Sequence, residues 1–79
     1  MIAVKVKYFQ LSREVEAKEE VFALGAGSYY GDLQREIIRK HPSLTYTVTM
    51  ALTDGVPVSL DVELKDGDEV DLLASPAGG

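Results

Sequence analysis

A single amphipathic helix set among short alternating segments is the feature that most constrains how this chain can fold. One face of residues 29–40 carries apolar side chains at helical spacing, namely Tyr30, Leu33, Ile37 and Ile38. Ser28 stands where an N-cap residue belongs, and the pair His41 and Pro42 ends the helix. We therefore predict one main helix over residues 29–40, with its apolar stripe packed against other elements.

The remaining apolar segments alternate with the period of two that is typical of β-strands. Four strands are predicted on this basis, over residues 2–9, 20–24, 45–52 and 69–74. The pair Asp54 and Gly55 indicates a tight hairpin, and Pro57 limits residues 56–58 to an edge strand because proline has no N–H to donate. Residues 11–18 are only loosely periodic, so a short helix or a loop is expected there. The order of elements predicts an α+β fold, with one main helix packed across a mixed sheet of four to five strands.

Length and charge exclude several classes of protein. The chain has 79 residues and no cysteine, which leaves room for one modest core but not for a deep enzyme cleft, a disulfide or a thiolate site. Its net charge is −5, with seven basic against six acidic residues in 1–40 and one against seven in 41–79. Nucleic-acid binding is not expected, because contacts to phosphates need clustered Lys and Arg. No apolar run approaches the ~18 residues of a membrane span. No signal peptide is recognisable either, so we expect a cytoplasmic protein.

Three motifs that resemble catalytic or ligand sites fail on their spacing. Residues 25–31 are rich in glycine, but the third glycine comes one residue late for a dinucleotide-binding loop. Residues 66–69 resemble part of a calcium loop, yet Val62 occupies the position of its first aspartate. His41 is the only histidine and has no nucleophile or second ligand spaced with it, so a role at the helix end is expected. We therefore expect no self-contained active site, no bound cofactor and no metal site.

The residues after the last predicted strand form a slim tail that ends in two glycines: Ser75, Pro76, Ala77, Gly78 and Gly79. We expect residues 1–74 to form the folded domain and residues 75–79 a flexible arm that reaches about 17 Å when extended. A narrow channel in a partner could admit this arm, because glycine has no side chain. The carboxylate of Gly79 could then be activated with ATP as an acyl-adenylate. The alternative is an inert tail, which is common at chain termini.

Five motifs spread along the chain together resemble one family. They are Tyr8-Phe9 with Arg13-Glu14, Gly31-Asp32-Leu33, His41-Pro42, the run from Leu64 to Val70, and Gly78-Gly79. In combination they resemble the MoaD branch of the ubiquitin-like sulfur carriers, which is close to ThiS and to the small archaeal modifier proteins. The resemblance covers nearly the whole chain and implies a β-grasp (ubiquitin-like) fold.

The resemblance also implies a function centred on Gly79. In the MoaD family a MoeB-like activating enzyme uses ATP to adenylate the C-terminal glycine, which then becomes a thiocarboxylate. The tail enters a MoaE-like large subunit of molybdopterin synthase and donates sulfur in molybdopterin or tungstopterin biosynthesis. On this interpretation Gly79 bears the sulfur, Gly78 gives a slim approach to it, and residues 75–77 line the partner's channel. The alternative is a modifier of the small archaeal type, which forms isopeptide bonds to lysines of other proteins through Gly79.

A partner also needs a surface beside the tail. Aliphatic and aromatic side chains at the ends of the first and last strands could form such a patch on an exposed sheet face: Tyr8, Phe9, Leu72 and Leu73. We expect an interface there, and burial in the core is the other explanation for the same positions.

Overall fold

The computed structural model describes residues 1–47 and 49–75. This part of the chain forms five β-strands, one α-helix and one 3₁₀-helix. In chain order they are β1 (Ile2–Phe9), β2 (Glu19–Leu24), α1 (Tyr30–Lys40), the 3₁₀-helix (Pro42–Tyr46), β3 (Thr49–Thr53), β4 (Val56–Pro57) and β5 (Glu69–Ala74). Neither helix in these ranges is long and apolar enough to cross a membrane.

The five strands form one mixed sheet in the order β2-β1-β5-β3-β4. β1 and β5 are parallel, while β1–β2, β3–β5 and β3–β4 are antiparallel. β5, the last strand in sequence, therefore lies at the centre of the sheet, and the short β4 lies at an edge. The α+β prediction is confirmed, and the arrangement of one helix on a five-stranded mixed sheet is that of a β-grasp fold.

The core lies between α1 and one face of the sheet, the inner face. α1 contributes its apolar stripe, and β1 and β5 contribute alternate residues. The most deeply buried side chains come from these three elements and from the loop after β1: Leu33, Ile37, Val4, Val6, Val70 and Leu11. Burying an aliphatic side chain of this size contributes roughly 1.5–3 kcal/mol. The packing of α1 on the central strands thus holds the sheet in place.

The start of α1 differs from the prediction by one residue. Tyr29, rather than Ser28, is the N-cap residue. The Ser28 hydroxyl instead donates to the Gly25 carbonyl at 2.7 Å, within the preceding turn. The Asp32 carboxylate accepts a hydrogen bond from the Tyr29 backbone N–H at 2.8 Å, and its charge complements the helix dipole. The predicted helix over residues 29–40 is otherwise confirmed.

The predicted third strand over residues 45–52 is wrong in its first half. Residues 42–46 form a 3₁₀-helix instead, and β3 begins at Thr49. Pro42 favours a helical turn because its fixed φ suits the first helical position. Leu44 is 5% and Tyr46 92% exposed, so these two residues do not share a face as alternate residues of one strand would.

The remaining local predictions concern loops and turns. Asp54 and Gly55 have φ values of 51° and 78°, as a tight hairpin turn of type I′ requires. β4 is confirmed as an edge strand. Of the two expectations for residues 11–18, the loop is correct, and Leu11 and Val15 anchor it in the core.

We predict that Leu33→Ala lowers the free energy of unfolding by about 2–5 kcal/mol, because it leaves a cavity under the centre of α1. Leu60→Ala is the matched control. Leu60 is exposed in the loop after β4, so the same chemical change should cost less than about 1 kcal/mol there. Urea denaturation measures both. Equal losses in the two variants would contradict the assignment of the core.

Candidate functional site

The predicted tail follows the central strand of the sheet. Ala74, the last residue of β5, pairs with Thr49 of β3, and Leu73 pairs with both Phe9 of β1 and Met50 of β3. Because β5 is bonded on both sides, the point at which the chain leaves the sheet is held by two neighbouring strands. Ser75, the last described residue, is half-buried beside β3.

The four remaining residues of the predicted tail are outside the described part of the chain: Pro76, Ala77, Gly78 and Gly79. Their proposed roles therefore remain predictions. The site that the structure does describe is the base of the tail, made of the ends of β1, β3 and β5 around Ser75. We call it the tail base.

The four residues predicted as an interface divide between the two faces of the sheet. Tyr8 and Leu72 face α1 and are only 8% and 2% exposed, so the expectation of an exposed surface is wrong for both. They are paired across β1 and β5, and side chains alternate along a strand, so their successors lie on the other face. Phe9 is 47% exposed there, and Leu73 is half-buried beside it.

A third side chain that the sequence analysis missed lies next to this pair. Met50 pairs with Leu73 on the opposite side of β5 and is 38% exposed. Phe9, Leu73 and Met50 thus form an apolar row across β1, β5 and β3, which we call the outer apolar row. Alternation in the β3 segment could have placed Met50 on one face or the other, but only the strand order places it beside Leu73.

Charged side chains bound the outer apolar row on the side away from the tail. Lys7 Nζ lies 3.1 Å from Glu69 Oε1, and Lys5 Nζ lies 3.8 Å from Glu19 Oε1. The hydrogen bond from Lys7 lowers the pKa of Glu69. Exposed pairs of this kind contribute little to stability, because water screens both charges. Their main effect is to confine the exposed apolar surface on this face of β1 and β5 to the tail base.

Behind the tail base, on the inner side of the sheet, three polar side chains converge on one carboxylate. The Tyr8 hydroxyl and His41 Nε2 donate to Glu20 Oε1 at 2.7 and 2.6 Å, and Lys40 Nζ lies 2.6 Å from Oε2. The Tyr8 and His41 rings also meet edge to face, with centroids 5.9 Å apart. This cluster, the Glu20 cluster, ties the last turn of α1 to β1 and β2. His41 therefore has the expected place at the helix end, with partners that the sequence analysis did not identify.

The surroundings of Glu20 change its ionisation strongly. Burial alone would raise the pKa of Glu20, but the hydrogen bonds from Lys40, Tyr8 and His41 outweigh it and lower the pKa from 4.5 to about 2. Burial and the same hydrogen bond raise the pKa of the Tyr8 hydroxyl. Glu20 is thus an anion and Tyr8 a neutral donor at ordinary pH, as a stable structural cluster requires.

The described residues do not assemble catalytic or metal-binding groups. Within 1–47 and 49–75, no three His, Asp or Glu side chains lie close enough to hold a metal ion. In the Glu20 cluster, the polar side-chain atoms bond to one another. The described residues around the tail base present partly exposed apolar side chains and no arrangement of acid, base and nucleophile.

Comparisons with known proteins agree with this picture. A model of the ThiS family matches residues 6–79. A solved structure from Pyrococcus furiosus, described as molybdopterin converting factor subunit 1, has a TM-score of 0.86 and 32% identity. The match covers 94% of this chain and 98% of that one.

Other solved structures are similar at lower sequence identity. Small archaeal modifier protein 1 from Haloferax volcanii matches with a TM-score of 0.81 and 20% identity, over 98% of this chain and 99% of that one. The protein of the same name from Methanosarcina acetivorans matches with a TM-score of 0.81 and 24% identity, over 100% and 98%. At these identities the likeness establishes the fold. A search of curated proteins found no match.

We predict that Glu20→Gln lowers the free energy of unfolding at pH 7 by about 1–3 kcal/mol, because the three donors lose a charged acceptor. The loss should depend on pH. The pKa of Glu20 is lowered in the folded state, so its contribution is complete above 4.5 and disappears as pH falls through about 2. The difference between variant and wild type should therefore shrink between these two values.

Urea denaturation at pH 7, 4 and 2.5 measures this difference, and Glu19→Gln is the control. Glu19 is exposed, and its pair with Lys5 spans 3.8 Å, so its replacement should cost less than about 1 kcal/mol. If the difference caused by Glu20→Gln were the same at every pH, the assignment of Glu20 as a half-buried, hydrogen-bonded anion would be wrong.

Proposed function

The chain belongs to the ThiS family, and on that premise we propose that it is a sulfur carrier that acts through the C-terminal carboxylate of Gly79. An activating partner adenylates this carboxylate with ATP, and the adenylate is converted to a thiocarboxylate. The thiocarboxylate then donates sulfur in molybdopterin or tungstopterin biosynthesis. The chain binds no cofactor of its own, and ATP is bound by the partner.

The observation that carries this proposal is the extent of the family match. It continues through residue 79 and so includes the two terminal glycines. The Pyrococcus furiosus protein, at 32% identity over nearly its whole length, supports the molybdopterin branch in particular.

The chemistry needs nothing from the globule except presentation of the carboxylate. An oxygen of the Gly79 carboxylate attacks the α-phosphorus of ATP, pyrophosphate leaves, and an acyl-adenylate forms. Hydrosulfide from a donor then attacks the acyl carbon, and AMP leaves with one of the former carboxylate oxygens. One carboxylate oxygen is thereby replaced by sulfur. Gly78 and Gly79 suit this reaction because the main chain can approach the nucleotide closely where there is no Cβ.

The outer apolar row supplies the contact that brings a partner to the tail. Phe9, Leu73 and Met50 are contiguous, partly exposed and adjacent to the residue at which β5 ends. Aromatic and methionine side chains are enriched in protein interfaces. The charged pairs beyond the row exclude a larger apolar patch on β1 and β5, so a docked partner is directed to the tail base.

Two partners follow from this function. A MoeB-like enzyme activates Gly79, and a MoaE-like large subunit accepts the loaded tail in the channel where sulfur is transferred. Both must bind the same end of the sheet, since each needs the tail. We therefore propose that they use the outer apolar row in turn, one after the other.

The second candidate function is protein modification through the same residue. The two small archaeal modifier proteins share the fold over almost the whole chain. In this case a lysine amine attacks the activated Gly79 instead of a sulfur nucleophile, and an isopeptide bond forms. Gly-Gly remnants on lysines of other proteins, absent when Gly79 is deleted, would identify this function.

We predict that incubation with the activating enzyme, ATP and a sulfur donor adds ~16 Da to the intact chain, as oxygen is replaced by sulfur. Intact-mass spectrometry measures the change. Deletion of Gly79 should abolish it and leave the melting temperature within about 2 °C of wild type, because the core lies within residues 1–75. No gain of mass with a competent enzyme would contradict the sulfur-carrier function.

We predict that Phe9→Glu weakens binding to the activating enzyme by about tenfold or more, because it places a charge at the most exposed side chain of the docking contact. Val21→Glu is the matched control, since Val21 is exposed on β2 at the far edge of the sheet. It should change Kd by less than about twofold. Isothermal titration calorimetry measures both, and equal effects would exclude the outer apolar row as the docking surface.

A further inference from the structure

A groove lies on the other side of β3 from the outer apolar row. It has a volume of about 560 Å³ and runs between α1 and the segment that follows β4. Its lining is mostly apolar and includes Tyr30, Met50, Pro57, Val58, Leu60 and Ser75. Because Ser75 is part of the lining, the groove begins at the tail base.

One wall of the groove is an incompletely paired strand edge. β4 pairs only with Leu52 and Thr53, and the Val58 N–H adds one bond to the Ala51 carbonyl at 2.9 Å. Successive residues of a strand direct their backbone groups to opposite sides, so Thr49 and Ala51 share the direction of Thr53, away from β5. Among the described residues, the N–H of Ala51 and both backbone groups of Thr49 have no backbone partner on this side.

We propose that this edge and groove receive an extended segment of the adenylating partner, which pairs with β3 as an added strand. The inference rests on the proposed function, because the partner is the protein that activates Gly79. Main-chain bonds to Thr49 and Ala51 hold the segment, and its alternate side chains enter the groove beside Tyr30. The segment carries apolar side chains on that face and is neutral or basic overall.

Continuity and charge both favour this occupant. Met50 belongs to the groove and to the outer apolar row, so a partner that covers the row already touches the groove. Asp61 is the only charged side chain in the groove lining. Residues 41–79 contain seven acidic residues and one lysine, and an acidic segment would therefore be repelled.

Strand pairing fixes the position of the partner along β3, which a flat apolar contact does not do. A slip of one residue would turn every side chain of the added strand to the wrong face, so pairing fixes the register. The edge of β3 is adjacent to the point where the tail begins, because Thr49 pairs with Ala74. The pairing therefore sets the position of the tail base relative to the partner's nucleotide, which a reaction at the end of a slender tail requires.

Amide hydrogen exchange of the full chain, alone and with the adenylating enzyme, tests the pairing directly. The amides of Thr49 and Ala51 should exchange at least about tenfold more slowly in the complex, as newly bonded N–H groups do. The Val21 amide is the control. Its partner Lys5 bonds to Asp68 on the other side of β1, so Val21 lies on the opposite free edge of the sheet and should not change.

A second measurement uses substitution in the groove. Leu60→Asp should raise the Kd for the adenylating enzyme about tenfold, while Val21→Asp, at an exposed apolar residue on the opposite edge, should change it less than about twofold. Unchanged exchange at Thr49 and Ala51, or equal effects of the two substitutions, overturns the inference. If Gly79 still gains sulfur in that case, the proposed function stands without the strand pairing. Absence of the gain in mass is the separate result that would refute the function.

Discussion

The parallel pairing of β1 with β5 is the contact on which the rest of the structure depends. It places the last strand at the centre of the sheet, bonded on both sides, and so fixes where the tail begins. It also sets which side chains of β1 and β5 face the helix and which face outward. Tyr8 and Leu72 are paired toward the helix, and Phe9 and Leu73 are paired on the outside. A shift of one residue in one of the strands would turn its outer residues toward the helix and its core residues toward solvent.

The two faces of the sheet consequently differ in what covers them. The inner face is covered by α1 and by the Glu20 cluster. In that cluster three hydrogen bonds to one carboxylate connect the end of the helix to β1 and β2. The outer face keeps its apolar surface beside the tail. The packing that stabilises the fold thus lies on one side of β1 and β5, and the surface that we propose for recognition lies on the other.

Sequence periodicity was enough to predict α1, β1, β5 and the hairpin, because each depends on local spacing and turn chemistry. It could not decide which face of β1 turns inward, since that depends on the neighbouring strands, and Tyr8 was wrongly expected to be exposed. Met50 was missed for the same reason. Glu20 and His41 are 21 residues apart and meet only through the tertiary fold. The 3₁₀-helix at Pro42 was missed because apolar alternation over residues 46–52 indicates a strand, whereas the fixed φ of Pro42 favours a helical turn that includes Tyr46.

The central claim is that the globule acts as a docking element and the tail as the reactive element. Chemical-shift mapping of the ¹⁵N-labelled chain during titration with the activating enzyme tests this most directly. The largest shifts among the described residues should cluster at Phe9, Met50, Leu73 and Ser75, around the base of the tail. Shifts concentrated instead on the exposed face of α1, around Arg35 and Arg39, would contradict it.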